Sequence, residues 1–132
     1  MPYAIAYLTT LVVYAGLDAV WLSVMGKLLY RPALGDMLLP TLNVPPAIAF
    51  YLVYPAGLSV FAVAPALRGG SFAASALYAV LFGAIAYATY DLTNYATLKN
   101  WTLQITLADI AWGAFASLLA SSVAIFVVRH FN

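Results

Sequence analysis

Three aspartates, Asp18, Asp91 and Asp109, stand inside stretches otherwise apolar enough to cross a membrane, and no Lys, Arg or His accompanies them there. A charged residue at the centre of a spanning helix costs about 2.5–3.5 kcal/mol on insertion scales. Three such residues are a burden on the order of a small protein's whole net stability. With no internal base, the carboxyls must be protonated, share protons, or hold a cation or a cationic ligand. Intramembrane acids are by default functional-site candidates. The chemistry they offer is proton exchange, ligand binding, or general acid–base catalysis tuned by burial. The competing structural reading is a neutral carboxyl that bonds Thr, Tyr or a backbone carbonyl and ties helices together.

The spacing of their neighbours orients them. Tyr14 and Asp18 are four residues apart, as are Tyr87 and Asp91, and Asn94 continues the Asp91 face three residues on. Asp109, Gly113, Ser117 and Ser121 form an i+4 stripe of small residues, a pattern that lets helices approach closely. Trp21 and Trp112 each follow an Asp by three residues; Trp21 reads as part of an interfacial aromatic belt, and Trp112 lies deeper. Tyr51 and Tyr54 adjoin Pro55, which removes the hydrogen bond to the Tyr51 carbonyl and should loosen the helix there. The candidate ligand-binding or proton-exchanging residues are therefore Asp18, Asp91, Asp109, Tyr51, Tyr54, Tyr87, Asn94 and Trp112. No catalytic residue, cofactor or metal is assigned. Three Asp oxygens suit a hard cation, but their spacing alone does not define such a site.

Composition excludes much else. The chain of 132 residues is 66% hydrophobic and 7% charged, against about 25% charged in a soluble domain. Its net charge of +1 comes without any basic cluster that could track a phosphate backbone, so nucleic acid is not a partner. There is no Cys, and the lone His, His130, sits near the end, which removes thiol, haem and zinc chemistry. Gly69-Gly70 is a turn without the Lys and Ser/Thr of a phosphate loop. Tyr3, Tyr7, Tyr30 and Trp101 read as interface anchors.

Positioning the acids requires spanning helices, each about 20 mostly apolar residues long. Four runs qualify: Tyr3–Gly26, Val44–Leu67, Phe72–Leu98 and Thr102–Val128. The first lacks the basic start and short apolar core of a signal peptide and reads as a retained helix. The short connections Arg68–Ser71 and Lys99-Asn100 make their neighbours antiparallel. The longer connection, Lys27–Asn43, carries Arg31-Pro32 and then Ala33, Leu34, Met37 and Leu38, the pattern of a short interfacial helix. With side A defined by the N-terminus, side B receives Lys27, Arg31 and Lys99, and side A receives Arg68 and Arg129. That bias is too small to fix orientation. Counted from side B at 1.5 Å per residue, the three acids lie about 12–14 Å deep, near the midplane. They are expected to converge on one cavity in the B-side half, with Tyr51 or Tyr54 lining it.

The residues Leu17–Leu22, Tyr87–Leu98 and Asp109–Gly113 resemble a bacterial family of four-span membrane proteins known as domain of unknown function 2177. The resemblance covers essentially the whole chain, with Tyr95 where the pattern leads one to expect Leu or Ala. It implies a bacterial inner-membrane location, points toward lipid substrates and supplies no activity. The expected architecture is an all-α, integral membrane four-helix bundle with a short interfacial helix between the first and second spans. It forms one domain over residues 1–132, in contact with membrane lipids, and homo-oligomerisation is left open. The first functional reading is a binder of a small molecule or lipid, extending to proton-coupled transport. The alternatives are a membrane-embedded enzyme modifying a lipid or isoprenoid, and an accessory structural subunit.

Overall fold

The computed structural model describes residues 1–41 and 43–131, and among them every regular element is helical. Helix α1 spans Pro2–Met25, with Pro2 in the first turn, where its missing N–H costs nothing. Gly26 does not end it. Its backbone is helical (φ −56°, ψ −42°), and the chain widens into a π turn, Gly26–Tyr30. One turn of α2 (Arg31–Leu34) and a 3-10 turn, Gly35–Met37, follow. The helix expected between the first two spans is thus built in short pieces, of which Gly26–Tyr30 and Arg31–Leu34 continue α1 without a break. Gly35 then turns the chain away with φ +50°, a conformation that glycine adopts without strain.

The second span comprises α3 (Val44–Leu58), a π turn (Ser59–Val63) and α4 (Ala64–Leu67). Pro45 and Pro46 sit in its first turn, where proline is tolerated, and Pro55 lies inside it. The loosening expected at Pro55 falls one turn later, in the π geometry of Ser59–Val63. Carbonyls around Pro55 are taken by side-chain hydroxyls: Ser59 Oγ donates to Pro55 O (2.8 Å) and Tyr7 Oη to Leu52 O (2.7 Å). Helix α5 (Phe72–Thr97) starts at Ser71, whose Oγ accepts the Ala74 N–H. Helix α6 (Leu103–Phe131) starts after Thr102, whose hydroxyl accepts the Ile105 N–H. On side A, Arg129 donates to the carbonyls of Ala66 and Gly70, closing the end of the second span with a cation.

Four helices are therefore long and apolar enough to cross a membrane, covering Pro2–Met37, Val44–Leu67, Phe72–Thr97 and Leu103–Phe131. Large apolar side chains such as Val12, Val20, Ile48, Val53 and Ile85 are exposed on their outer faces, as lipid contact requires. α6 is the central helix and packs along α5 and α1, while α1 packs on α3. The Ser59–Val63 turn closes the ring against α5, but α3 itself scarcely touches α5. The α5–α6 seam is the tight one. A Cβ on Gly83 would run into the Gly113 carbonyl, and one on Gly113 into the Tyr87 ring. The small-residue stripe read from Gly113, Ser117 and Ser121 does serve close approach.

The interior is layered. Toward side A, Ala6, Val63, Ala66, Ala124, Ile125 and Val128 fill the bundle. In the middle, Tyr14, Tyr54 and Leu58 pack on Ala116 and Ala120. Toward side B, Leu29 and Leu34 from the continued first helix cover Trp101 and Ile105.

Candidate functional site

A cavity of about 940 Å³ lies between the middle layer and the side-B layer. Phe50 and Tyr54 of α3 wall it on one side, and Ala86, Tyr87 and Tyr90 of α5 on the other. It exists because the B-side half of α3 stands off α5. The two elements meet only near Tyr54 and Gly57, where Tyr54 packs against the rings of Phe82 and Tyr87. The outer wall comes from the connection after α1, through Leu34, Met37, Leu38, Leu39 and Pro40, with Arg31 beside them.

Asp18 and Asp109 line the cavity, each 6% exposed, and both are held by donors from other helices. Trp112 Nε1 of α6 donates to Asp18 Oδ1 at 3.0 Å, and the Tyr51 hydroxyl of α3 donates to Asp18 Oδ2. The Tyr30 hydroxyl donates to Asp109 Oδ1 and itself accepts from Trp21 Nε1 at 2.9 Å. The two indoles stack, with ring centroids 4.6 Å apart and planes within 8°. The arrangement is crossed. α1 and α6 run antiparallel and each carries Asp-x-x-Trp, so the Trp of α6 binds the Asp of α1 directly. The Trp of α1 reaches the Asp of α6 through one tyrosine hydroxyl. Asp109 Oδ2 takes no donor among the described residues and is left for the cavity. Below the acids, Tyr14 and Tyr87 share a hydrogen bond, and Tyr54 bonds Ser117 Oγ at 2.7 Å.

The eight candidates thus divide. Asp18, Asp109, Tyr54, Tyr87 and Trp112 line the cavity, and Tyr51 reaches it through Asp18. Asp91 and Asn94 are not among the lining residues. Asp91 is fully buried, on the α5 face that also carries Ser75, Ala79 and Gly83, and its two carboxyl oxygens have no hydrogen-bond partner among the described residues. The expected convergence of all three acids therefore needs correction. Position along a helix fixes depth, but not which neighbour a side chain meets, and Asp91 belongs to the closed seam. The common depth shifts as well. Because the first helix continues past Lys27, residues around Leu29 and not Gly26 stand level with Ile105. Asp18 then lies deeper from side B than Asp109 by one to two helical turns, on the order of 8 Å.

Trp21 and Tyr30, read as interfacial, are instead components of the acid network, and Trp101 is 7% exposed with its Nε1 donating to Thr106. No local spacing ties Tyr30 to an acid 79 positions away. The signal that was available is the repeated Asp-x-x-Trp on two helices of opposite direction. Among the described residues, no three His, Cys, Asp or Glu side chains group as a metal site would require.

Residues 3–126 match the family described as predicted membrane protein (DUF2177). Nothing among curated proteins or solved structures matches the chain. With four helices of spanning length and a family match over nearly its whole length, the chain is an integral membrane protein and belongs to the DUF2177 family.

Proposed function

We propose that the B-side cavity binds a small amphiphile or lipid, with its polar end at Asp18 and Asp109 and its chain along the apolar outer wall. The single observation that carries this reading is an open volume of about 940 Å³ lined both by two buried acids and by Leu34, Met37, Leu38 and Leu39. Ligand sites of about 300–1,000 Å³ with mostly apolar walls and a few convergent polar groups are the ordinary form of small-molecule pockets. The stand-off between α3 and α5 supports entry from within the bilayer. The filled A-side layer argues against access from side A, so a proton-coupled carrier would have to open Ala6, Val63 and Ala124 apart. We place the protein in the bacterial cytoplasmic membrane, on the resemblance of its motifs and on its helical rather than β-barrel spans.

A second reading, a lipid- or isoprenoid-modifying enzyme, has one observation in its favour. The uncommitted Oδ2 of Asp109 on the cavity is where a general acid or base would stand. Native mass spectrometry of protein released from membrane-derived nanodiscs tests the binding reading. The unaltered chain should retain an amphiphile, and Ala86→Trp, which fills the cavity from α5, should lose it. Equal retention in both, or none in the unaltered chain, contradicts the proposal. A retained molecule that is converted on incubation would favour the enzyme.

A further inference from the structure

Resting on the reading of the cavity as an amphiphile site, we infer that the head group it takes is an alkylammonium. The polar groups at its inner end are acceptors. Asp18 and Asp109 are each more than nine-tenths buried, and Oδ2 of Asp109 has no donor among the described residues. The donors in reach, Trp21, Trp112, Tyr30 and Tyr51, are already committed to the acids or to one another. An anionic or purely accepting head group at that end would meet two carboxyls whose own donors are already engaged.

Much of the remaining lining is aromatic. Tyr54, Tyr87, Tyr90 and Trp101 line the same cavity as the stacked Trp21–Trp112 pair. Ring faces are the negative pole of an aromatic quadrupole and attract ammonium groups, most strongly where water is excluded. Carboxylates combined with ring faces are the chemistry by which ammonium ligands are recognised. Arg31, the one cation among the lining residues, makes no hydrogen bond to either acid among the described residues, although it directly follows Tyr30. It is exposed and sits on the connection beside the apolar outer wall, 13 residues beyond Asp18 on a continuous helical path. An ammonium at the inner end would also supply the positive charge that the apolar stretches around these acids lack.

The test uses purified full-length protein in maltoside micelles and four amphiphiles with the same 10-bromodecyl chain: primary amine, trimethylammonium, alcohol and carboxylate. Bromine quenches indole emission on contact, and Trp21, Trp101 and Trp112 all line the cavity, so saturable quenching reports occupancy. A charge-assisted contact predicts that both ammonium probes bind at least about tenfold tighter than the alcohol. The carboxylate should be weaker than either. In Asp18→Asn/Asp109→Asn the preference should fall to about twofold or less, with the alcohol unchanged. Should that double variant fail to fold by thermal melt, Asp109→Asn alone must reduce the preference at least about threefold. Equal or tighter binding of alcohol or carboxylate, or an ammonium preference that survives in the Asn variants, overturns the inference while leaving the amphiphile site standing. No saturable quenching by any of the four overturns the binding reading itself.

Discussion

The approach of α5 to α6 can be measured with a single methyl group. A Cβ on Gly83 would lie 2.6 Å from Ser117 Oγ and 2.8 Å from the Gly113 carbonyl carbon, and nearer still to that carbonyl's oxygen. The obstacle is mostly backbone, so no side chain can swing aside, and the helices must part. Overpacking of this kind costs about 1–3 kcal/mol. Ser117 Oγ is also the partner of the Tyr54 hydroxyl at 2.7 Å, and disturbing that bond adds about 1 kcal/mol. Alanine's better helix propensity returns roughly 0.5–1 kcal/mol. Gly83→Ala should therefore destabilise by about 2 kcal/mol in SDS-driven unfolding followed by tryptophan emission. Gly16 supplies the control: it lies in α1 with no heavy atom within 4 Å of an added Cβ. Gly16→Ala should be neutral or stabilising by up to about 1 kcal/mol. If the two variants unfold alike, α5 and α6 are not in the contact described, and the seam that closes over Asp91 and positions Tyr87 is wrong.

Four further outcomes follow from individual contacts. Tyr54→Phe and Ser117→Ala should each cost about 1–2 kcal/mol but the double variant less than their sum, since each single change strands one buried hydroxyl. Asp91→Ala should be no less stable than the unaltered protein, and up to about 2 kcal/mol more so, because a buried carboxyl without a partner is replaced by a methyl group. The same variant should bind amphiphiles as before, which a binding titration checks directly. Tyr30→Phe should lower stability by about 1–3 kcal/mol in the same unfolding assay, since Trp21 Nε1 and Asp109 Oδ1 both lose their partner.

Much of the frame was legible in the chain. The second span was bounded at Val44 and Leu67 by Pro45-Pro46 and the Arg68–Ser71 turn, and those are its bounds in the structure. The third and fourth spans agree to within a few residues, because Ser71, Lys99-Asn100 and Thr102 are unambiguous interruptions and caps. Gly26 misled: glycine permits a stop but does not compel one, and here Leu29 and Leu34 gain burial by carrying the helix onward. Within the candidate site, intrahelical spacing told which face each acid shared with its neighbours. It could not tell which helix that face would meet. The acid network is made of contacts between helices, such as Tyr30 to Asp109 and Trp112 to Asp18, that are set by how α1 and α6 slide past each other. Asp91 shows the same limit in reverse. Its Tyr87-x-x-x-Asp91 spacing repeats that of Tyr14 and Asp18, yet Tyr87 lines the cavity and Asp91 is enclosed.

The central claim is that the space bounded by Asp18, Asp109 and the outer leucines is a ligand site, and a cryo-electron microscopy map of the protein in a lipid nanodisc tests it most directly. The account predicts elongated density entering between α3 and α5, its inner end within hydrogen-bond distance of Oδ2 of Asp109 and its tail against Leu34 and Leu38. Collapse of α3 onto α5 with no intervening density, or lipid density confined to the outer faces of the four helices, would contradict it.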